Sequence, residues 1–230
     1  MLKVELHAHT DHDPLDAVPH TCRALVECAA ALGYHAVAIT LHDRFYDPGP
    51  DADFASSRGV VLIPGIERSI GRAHVLLVNF PASCEAVASF DDIRRLKGDH
   101  PRGLVIAPHA MFPIASALGG AALDRHADIF DAIEVNALYT PLVNFNGGAI
   151  AWAKRHAKPL VGNSDVHTLM QLGTTYSLVD AAPNPDAICD AIKAGRVEVR
   201  TEAVSTLRAA STFARMSAIG LRGRARRFTK

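Results

Sequence analysis

Residues 4–10 read Val4-Glu5-Leu6-His7-Ala8-His9-Thr10, a short apolar-alternating run that closes on two histidines one residue apart. The run predicts a strand over Val4–His7. The two-residue period of a strand puts His7 and His9 on one face, aimed at one point. Further strand patterns follow at Ala36–Thr40, Val60–Ile63, His74–Asn79, Leu104–Ala107, Ala132–Val135, Pro159–Gly162 and Tyr176–Val179. Helical periodicity fills the gaps: Pro19–Leu32, Ala52–Arg58, Cys84–Leu96, Ile114–Ala127, Leu142–His156 and Pro185–Ala194. Gly33 and Gly195 supply C-cap signals, and Asn184-Pro185 reads as an N-cap followed by proline at the first helical position. Strands alternating with helices predict parallel βαβ units. About seven such units in one chain favour a closed or nearly closed α/β barrel of TIM-like type over an open doubly wound sheet.

The 230 residues are 49% hydrophobic and 21% charged, which suffices for a sizeable core and excludes disorder for the bulk of the chain. Lys plus Arg equals Asp plus Glu at 24 each, so a globally basic nucleic-acid binder is not expected. The balance is uneven, however. Arg208, Arg215, Arg222, Arg224, Arg226, Arg227 and Lys230 face Glu202 alone in the last thirty residues, leaving residues 1–200 acidic. The expected organisation is one barrel domain over 1–200 and a basic extension over 201–230. That extension reads as a basic helix or a frayed end, and contact with nucleic acid or an acidic surface is open to it. Cys22, Cys28, Cys84 and Cys189 show no CxxC pairing and read as reduced, mostly buried thiols. No signal-peptide pattern opens the chain and no run of about 18 apolar residues occurs, so a cytoplasmic protein without a transmembrane segment is expected.

Twelve histidines are present, and their placement is informative. His42 ends the second strand pattern, Glu67 follows the third, His74 starts the next, and His109 ends Val105-Ile106-Ala107-Pro108-His109. Asp165 and His167 end Val161-Gly162-Asn163-Ser164-Asp165-Val166-His167, again at a spacing of two. In an α/β barrel the C-terminal strand ends converge on one face, where active sites sit. Imidazole and carboxylate donors suit Zn, Mn or Fe, and this many exceed what one tetrahedral ion takes. His20, His35, His100, His126 and His156 fall in helices or at their edges and read as surface or structural residues.

Together, His7-Ala8-His9-Thr10, Ala38-Ile39-Thr40-Leu41-His42-Asp43, Gly65-Ile66-Glu67, His74, Ala107-Pro108-His109 and Asn163-Ser164-Asp165-Val166-His167 resemble, in order, the PHP (polymerase and histidinol phosphatase) family of metal-dependent phosphoesterases. The resemblance spans roughly residues 1–200 and implies a distorted seven-stranded β/α barrel with two or three divalent ions. It implies a first metal on His7, His9, Glu67 and Asp165, and a second on Glu67, His74 and His109, with Glu67 bridging. A third would lie on His42, His167 and a residue of the loop after HxHT, which maps to Asp13, with His12 as the alternative. One departure is Thr40-Leu41-His42, where the family usually reads TDH.

The expected activity is hydrolysis of a small phosphomonoester, nucleotide or phosphodiester by a metal-activated hydroxide, with His9, Glu67 and Asp165 central to the chemistry. Arg44, Arg68 and Arg72 lie near predicted strand ends and could clamp a phosphate. Glu134, also at a strand end, is either a general acid/base or the partner that orients a ligand histidine. Two other readings stand beside this one: an amidohydrolase, which also opens with HxH, and a metal-stabilised module that binds a partner without catalysis.

Overall fold

The computed structural model describes residues 1–228. Its strands are β1 (Leu2–Ala8), β2 (Ala36–Ile39), β3 (Val61–Ile63), β4 (Gly65–Ile70), β5 (Ala73–Val78), β6 (Leu104–Ala107), β7 (Ala132–Asn136), β8 (Leu160–Asn163), β9 (Thr175–Val179) and β10 (Val197–Thr201). The helices are α1 (Cys22–Ala31), α2 (Gly49–Ser57), α3 (Phe90–Asp99), α4 (Gly119–Arg125), α5 (Asn146–Arg155), α6 (Pro185–Lys193) and α7 (Thr206–Phe228). Three N-caps follow side-chain chemistry: Thr21, Ser89 and Asn184 each accept a backbone N–H of the first turn of α1, α3 and α6.

The strands form two five-stranded sheets, in the orders β10-β9-β1-β2-β3 and β4-β5-β6-β7-β8. Isolated parallel bridges join the two at the ends that carry the histidines. Ala8 pairs with Val166 beyond β8, and His42 beyond β2 pairs with Glu67 in β4. Not every neighbour is parallel, as the alternating pattern had predicted. β5 runs antiparallel to both β4 and β6, and β9 runs antiparallel to both β1 and β10. The third predicted strand, Val60–Ile63, is β3; beyond Pro64 the chain forms a further strand that was not predicted, β4, which turns back through Gly71 (φ 65°) into β5. Reversal of β5 is what brings His74, at its beginning, to the end of the sheet where β6 finishes.

β2, β6 and β7 are buried along their whole length, as expected of strands covered on both faces. Val4, Leu6, Ala38, Ile63, Leu76, Ile106, Ala132 and Val161, drawn from strands of both sheets, share one cluster that α6 closes with Ile188 and Ile192. A second cluster packs Phe130, Trp152 and α3 against the outer side of β4–β7. The cysteines are free, and three of the four are buried.

Candidate metal centre

The ladder between β1 and β2 shifts register between Glu5 and Ala8, an irregularity of the kind that re-aims side chains beside functional sites. Beyond it, His7 Nε2 lies 3.4 Å from Glu67 Oε2 and 3.3 Å from Asp165 Oδ1. His9 Nε2 lies 3.4 and 3.6 Å from the same two oxygens. The second carboxylate oxygen of Glu67, Oε1, faces His74 Nδ1 at 2.7 Å and His109 Nε2 at 3.2 Å. His42 Nε2 stands 3.1 Å from Glu67 Oε2, and the His9 ring lies between those of His42 and His167 at centroid distances of 4.4 and 4.3 Å. Four sets of three converge: His7/His9/Asp165, His7/Glu67/His109, His42/Glu67/His74 and His9/His42/His167. Glu67 thus faces ligands on both of its oxygens, at the centre of the cluster.

These residues fit divalent ions. His7 Nε2, His9 Nε2 and Glu67 Oε2 are buried with no hydrogen-bond partner, a costly state for three polar atoms unless something else binds them. Atoms bonded to one tetrahedral ion at about 2.0–2.2 Å stand roughly 3.3–3.6 Å apart. The His7, His9, Glu67 and Asp165 separations fall in that range. Charge follows the geometry. Burial lowers the His7 imidazole, but Asp165, Glu67 and Glu134 together raise it well above its ordinary value. Burial raises the Glu67 and Asp165 carboxyls, but the surrounding histidines hold both well below theirs. Three positions near the site keep non-glycine residues at positive φ: Asp43 (50°), His109 (31°) and Asp165 (51°). Such strain persists where the surroundings dictate it, and functional sites are where it collects.

Behind the inward-facing nitrogens sits a layer of acceptors that fixes ring orientation. Glu134 Oε2 accepts from His7 Nδ1 at 2.8 Å and from Asn163 Nδ2 at 3.0 Å. Its Oε1 accepts from the His109 N–H and from Asn136 Nδ2. Glu134 is therefore placed as an orienting partner, one of the two roles its position at a strand end suggested. Asp13 is placed the same way. Its Oδ2 accepts from His9 Nδ1, His42 Nδ1 and the His42 N–H, each at 2.9 Å, and its Oδ1 accepts the N–H groups of Leu15 and Asp16 at 2.8 Å. His12 is exposed on the loop surface. On the His167 side the loop carboxylate is Asp16, whose Oδ2 lies 3.0 Å from His167 Nε2. Sequence reading passed over Asp16. The available signal was an acidic residue beyond Pro14 in a loop too short to hold the others away from the site.

The three arginines separate. Arg68 is committed to Asp43 at 2.7 Å and to the Val87 carbonyl. Arg44 donates to the His12 carbonyl at the exposed surface. Arg72 is exposed on the β4–β5 turn, two residues before His74. His20, expected to be surface or structural, is buried and bonds the His9 carbonyl through Nε2 at 2.9 Å. Glu5 was not singled out in the sequence. It is buried and accepts the N–H groups of His7 and Ser164, and burial pushes its carboxyl up to about 8. Side chains of Arg226 and Arg227, and all of Lys230, lie outside the described residues.

A family model described as PHP-associated matches residues 144–197, the stretch that includes β7's successor helix, β8, Asp165 and His167. The fold is similar to a two-domain protein containing a predicted PHP-like metal-dependent phosphoesterase from Bacteroides vulgatus, at 19% identity and a TM-score of 0.65, over 87% of this chain and 65% of that one. Over residues 144–197 the chain is similar to PHP-associated sequences, and over most of its length it shares the fold of a PHP-like protein. A lesion-specific endonuclease from Pyrococcus furiosus matches at 16% identity and a TM-score of 0.54, over 86% of this chain and 57% of that one. An error-prone DNA polymerase of Nocardia farcinica is 41% identical over 69 residues, 30% of this chain and 6% of the polymerase. The chain thus spans a small fraction of the polymerase and about two thirds of the Bacteroides protein. Among the described residues no helix is long and apolar enough to cross a membrane.

Proposed function

We propose that this protein is a PHP-family metal-dependent phosphoesterase that hydrolyses a small phosphomonoester, nucleotide or phosphodiester at a di- or trinuclear centre of Zn, Mn or Fe. The observation that carries the reading is the convergence of His7 Nε2, His9 Nε2 and Glu67 Oε2, all buried and unpartnered, beside Asp165. His7, His9, Glu67 and Asp165 would hold one ion, and Glu67, His74 and His109 a second. His42, His167 and Asp16 would hold a third, with Asp16 in the place first assigned to Asp13. Divalent ions so placed activate water and neutralise charge on a phosphoryl group.

The chain's own residues prepare that chemistry. Glu134 and Asp13 hold His7, His9 and His42 with their Nδ1 protons outward, leaving the Nε2 lone pairs free to face the cluster. Arg72, exposed beside His74, is the arginine best placed to meet a substrate phosphate; Arg44 and Arg68 are otherwise engaged. The bridges at Ala8–Val166 and His42–Glu67 support a distorted barrel over residues 1–200, with 201–230 as an extension. Relatives named as a polymerase and an endonuclease favour a nucleotide-related substrate over an amide. The test is a panel of phosphomonoesters, nucleotides, phosphodiesters and amides, assayed in Mn or Zn and after chelation. Chelator-sensitive turnover of a phosphoester is expected. Turnover of amides alone, or of nothing in metal-replete protein, would overturn the reading.

A further inference from the structure

The sequence treats the basic C-terminal segment as an appendage, but α7 lies against both loops that shape one side of the metal centre. On one loop, Ala17 N–H donates to the Ile219 carbonyl at 3.3 Å. A helical carbonyl keeps a second lone pair for such a bond, provided that the chain can come close enough. Two glycines allow that approach. A Cβ on Gly223 would sit 1.9 Å from the Leu15 carbonyl oxygen, and a Cβ on Gly220 would sit 3.5 Å from Asp16 Oδ1. On the other loop, Met216 Sδ contacts Gln171 Nε2 at 3.7 Å, and Arg208 bonds the Met170 carbonyl. Gln171 in turn holds the segment carrying Asp165 and His167. Its Oε1 accepts the His167 and Thr168 N–H groups at 3.0 and 2.8 Å, and its Nε2 donates to the Asp165 carbonyl at 2.6 Å. Asp16 and His167 meet between the two loops at 3.0 Å.

We infer that α7 is a positioning element of the third metal position: it clamps the 13–17 and 164–171 loops so that Asp16 and His167 converge. The inference rests on the metal-centre reading above and makes the last helix part of the working site. Gly220, Gly223 and Met216 are its contact points. They touch no ligand of the other two positions.

The test uses the full-length chain in two glycine series and one surface control. Gly220→Ala adds a methyl at ordinary contact distance, whereas Gly220→Ile must displace the Asp16 carboxylate. Gly223→Val crowds the Leu15 carbonyl oxygen, Met216→Ala removes the contact to Gln171, and Leu221→Gln alters an exposed residue of the same helix. Metal-free protein is titrated with Mn²⁺, bound metal per chain is measured, and folding is followed by circular dichroism. Gly220→Ile and Met216→Ala are expected to weaken the third equivalent at least tenfold while the first two bind as in wild type, the pattern also expected of Asp16→Asn. Gly220→Ala and Leu221→Gln should titrate like wild type. Three equivalents bound with unchanged affinity in Gly220→Ile, Gly223→Val and Met216→Ala would overturn the clamp and leave the metal-centre reading standing. Equal loss of all equivalents in folded Met216→Ala would also overturn it. Wild-type protein that binds no Mn²⁺ would instead remove the metal-centre reading itself.

Discussion

His7, His9 and His42 are each aimed by a carboxylate that touches Nδ1, and these contacts set measurable expectations. Glu134→Gln keeps the size and one acceptor but removes the charge that faces His7 Nδ1. Loss of such a partner typically costs about 10–100-fold in metal affinity or activity. That loss should appear in Mn²⁺ titration of Glu134→Gln, with the position of His42 and His167 least affected. Asp13→Asn should show the complementary pattern, because Asp13 touches His9 and His42 and not His7. Glu5 carries a different expectation. Its carboxyl is pushed up to about 8 by burial, against an ordinary value of 4.5. The unfolded chain therefore ionises first, and Glu5 subtracts stability progressively as pH rises from about 4.5 to about 8. In metal-free protein, Glu5→Gln should melt higher than wild type at pH 8 and with a much smaller difference at pH 5. An equal difference at both pH values would contradict this.

At the scale of elements, the strand that matters most was the least legible. Val4–His7, Leu104–Ala107 and Pro159–Gly162 announced themselves because short apolar-rich strand patterns lead directly to His or Asp. β4, Gly65-Ile66-Glu67-Arg68-Ser69-Ile70, mixes charge into its centre and is separated from β3 by Pro64 alone, so it read as a strand end. Its charged residues are satisfied only by partners far along the chain, Asp43 for Arg68 and the histidines for Glu67. β10, Val197-Glu198-Val199-Arg200-Thr201, was hidden for the same reason: it is an edge strand with one exposed face. The clustering of these side chains could be read because donor types at strand ends declare themselves. Asp16 could not, since its meeting with His167 depends on how two loops and α7 pack. Close packing also makes a stability prediction. A Cβ on Gly162 of β8 would lie 2.7 Å from the Tyr176 carbonyl oxygen of β9. Gly162→Ala forces those backbones apart, and overpacking of this kind costs about 1–3 kcal/mol. Thermal melts should show a drop of several degrees, whereas Gly98→Ala, with open space around it, should not.

For the whole molecule, the metal-free protein holds its cluster together with protons. His7 and His167 are buried, which lowers them, but Asp165 and the neighbouring carboxylates raise both well above the ordinary histidine value. Stability from these two groups is complete below about pH 6.5 and is lost as pH rises through their raised folded values. Metal ions take the place of those protons, so binding should release protons and tighten as pH rises. The difference in melting temperature between metal-loaded and metal-free protein should therefore grow from pH 6 to pH 9. A difference independent of pH would mean that the histidines are not the ligands. The most direct measurement of the proposed centre is bound metal per chain, determined by mass spectrometry on dialysed, folded wild type and Glu67→Gln. With Glu67 facing His7, His9 and His42 through one oxygen and His74 and His109 through the other, wild type should carry at least two ions per chain and Glu67→Gln no more than one. Equal metal content in the two proteins, or none in wild type purified and dialysed with Mn or Zn present, would contradict it.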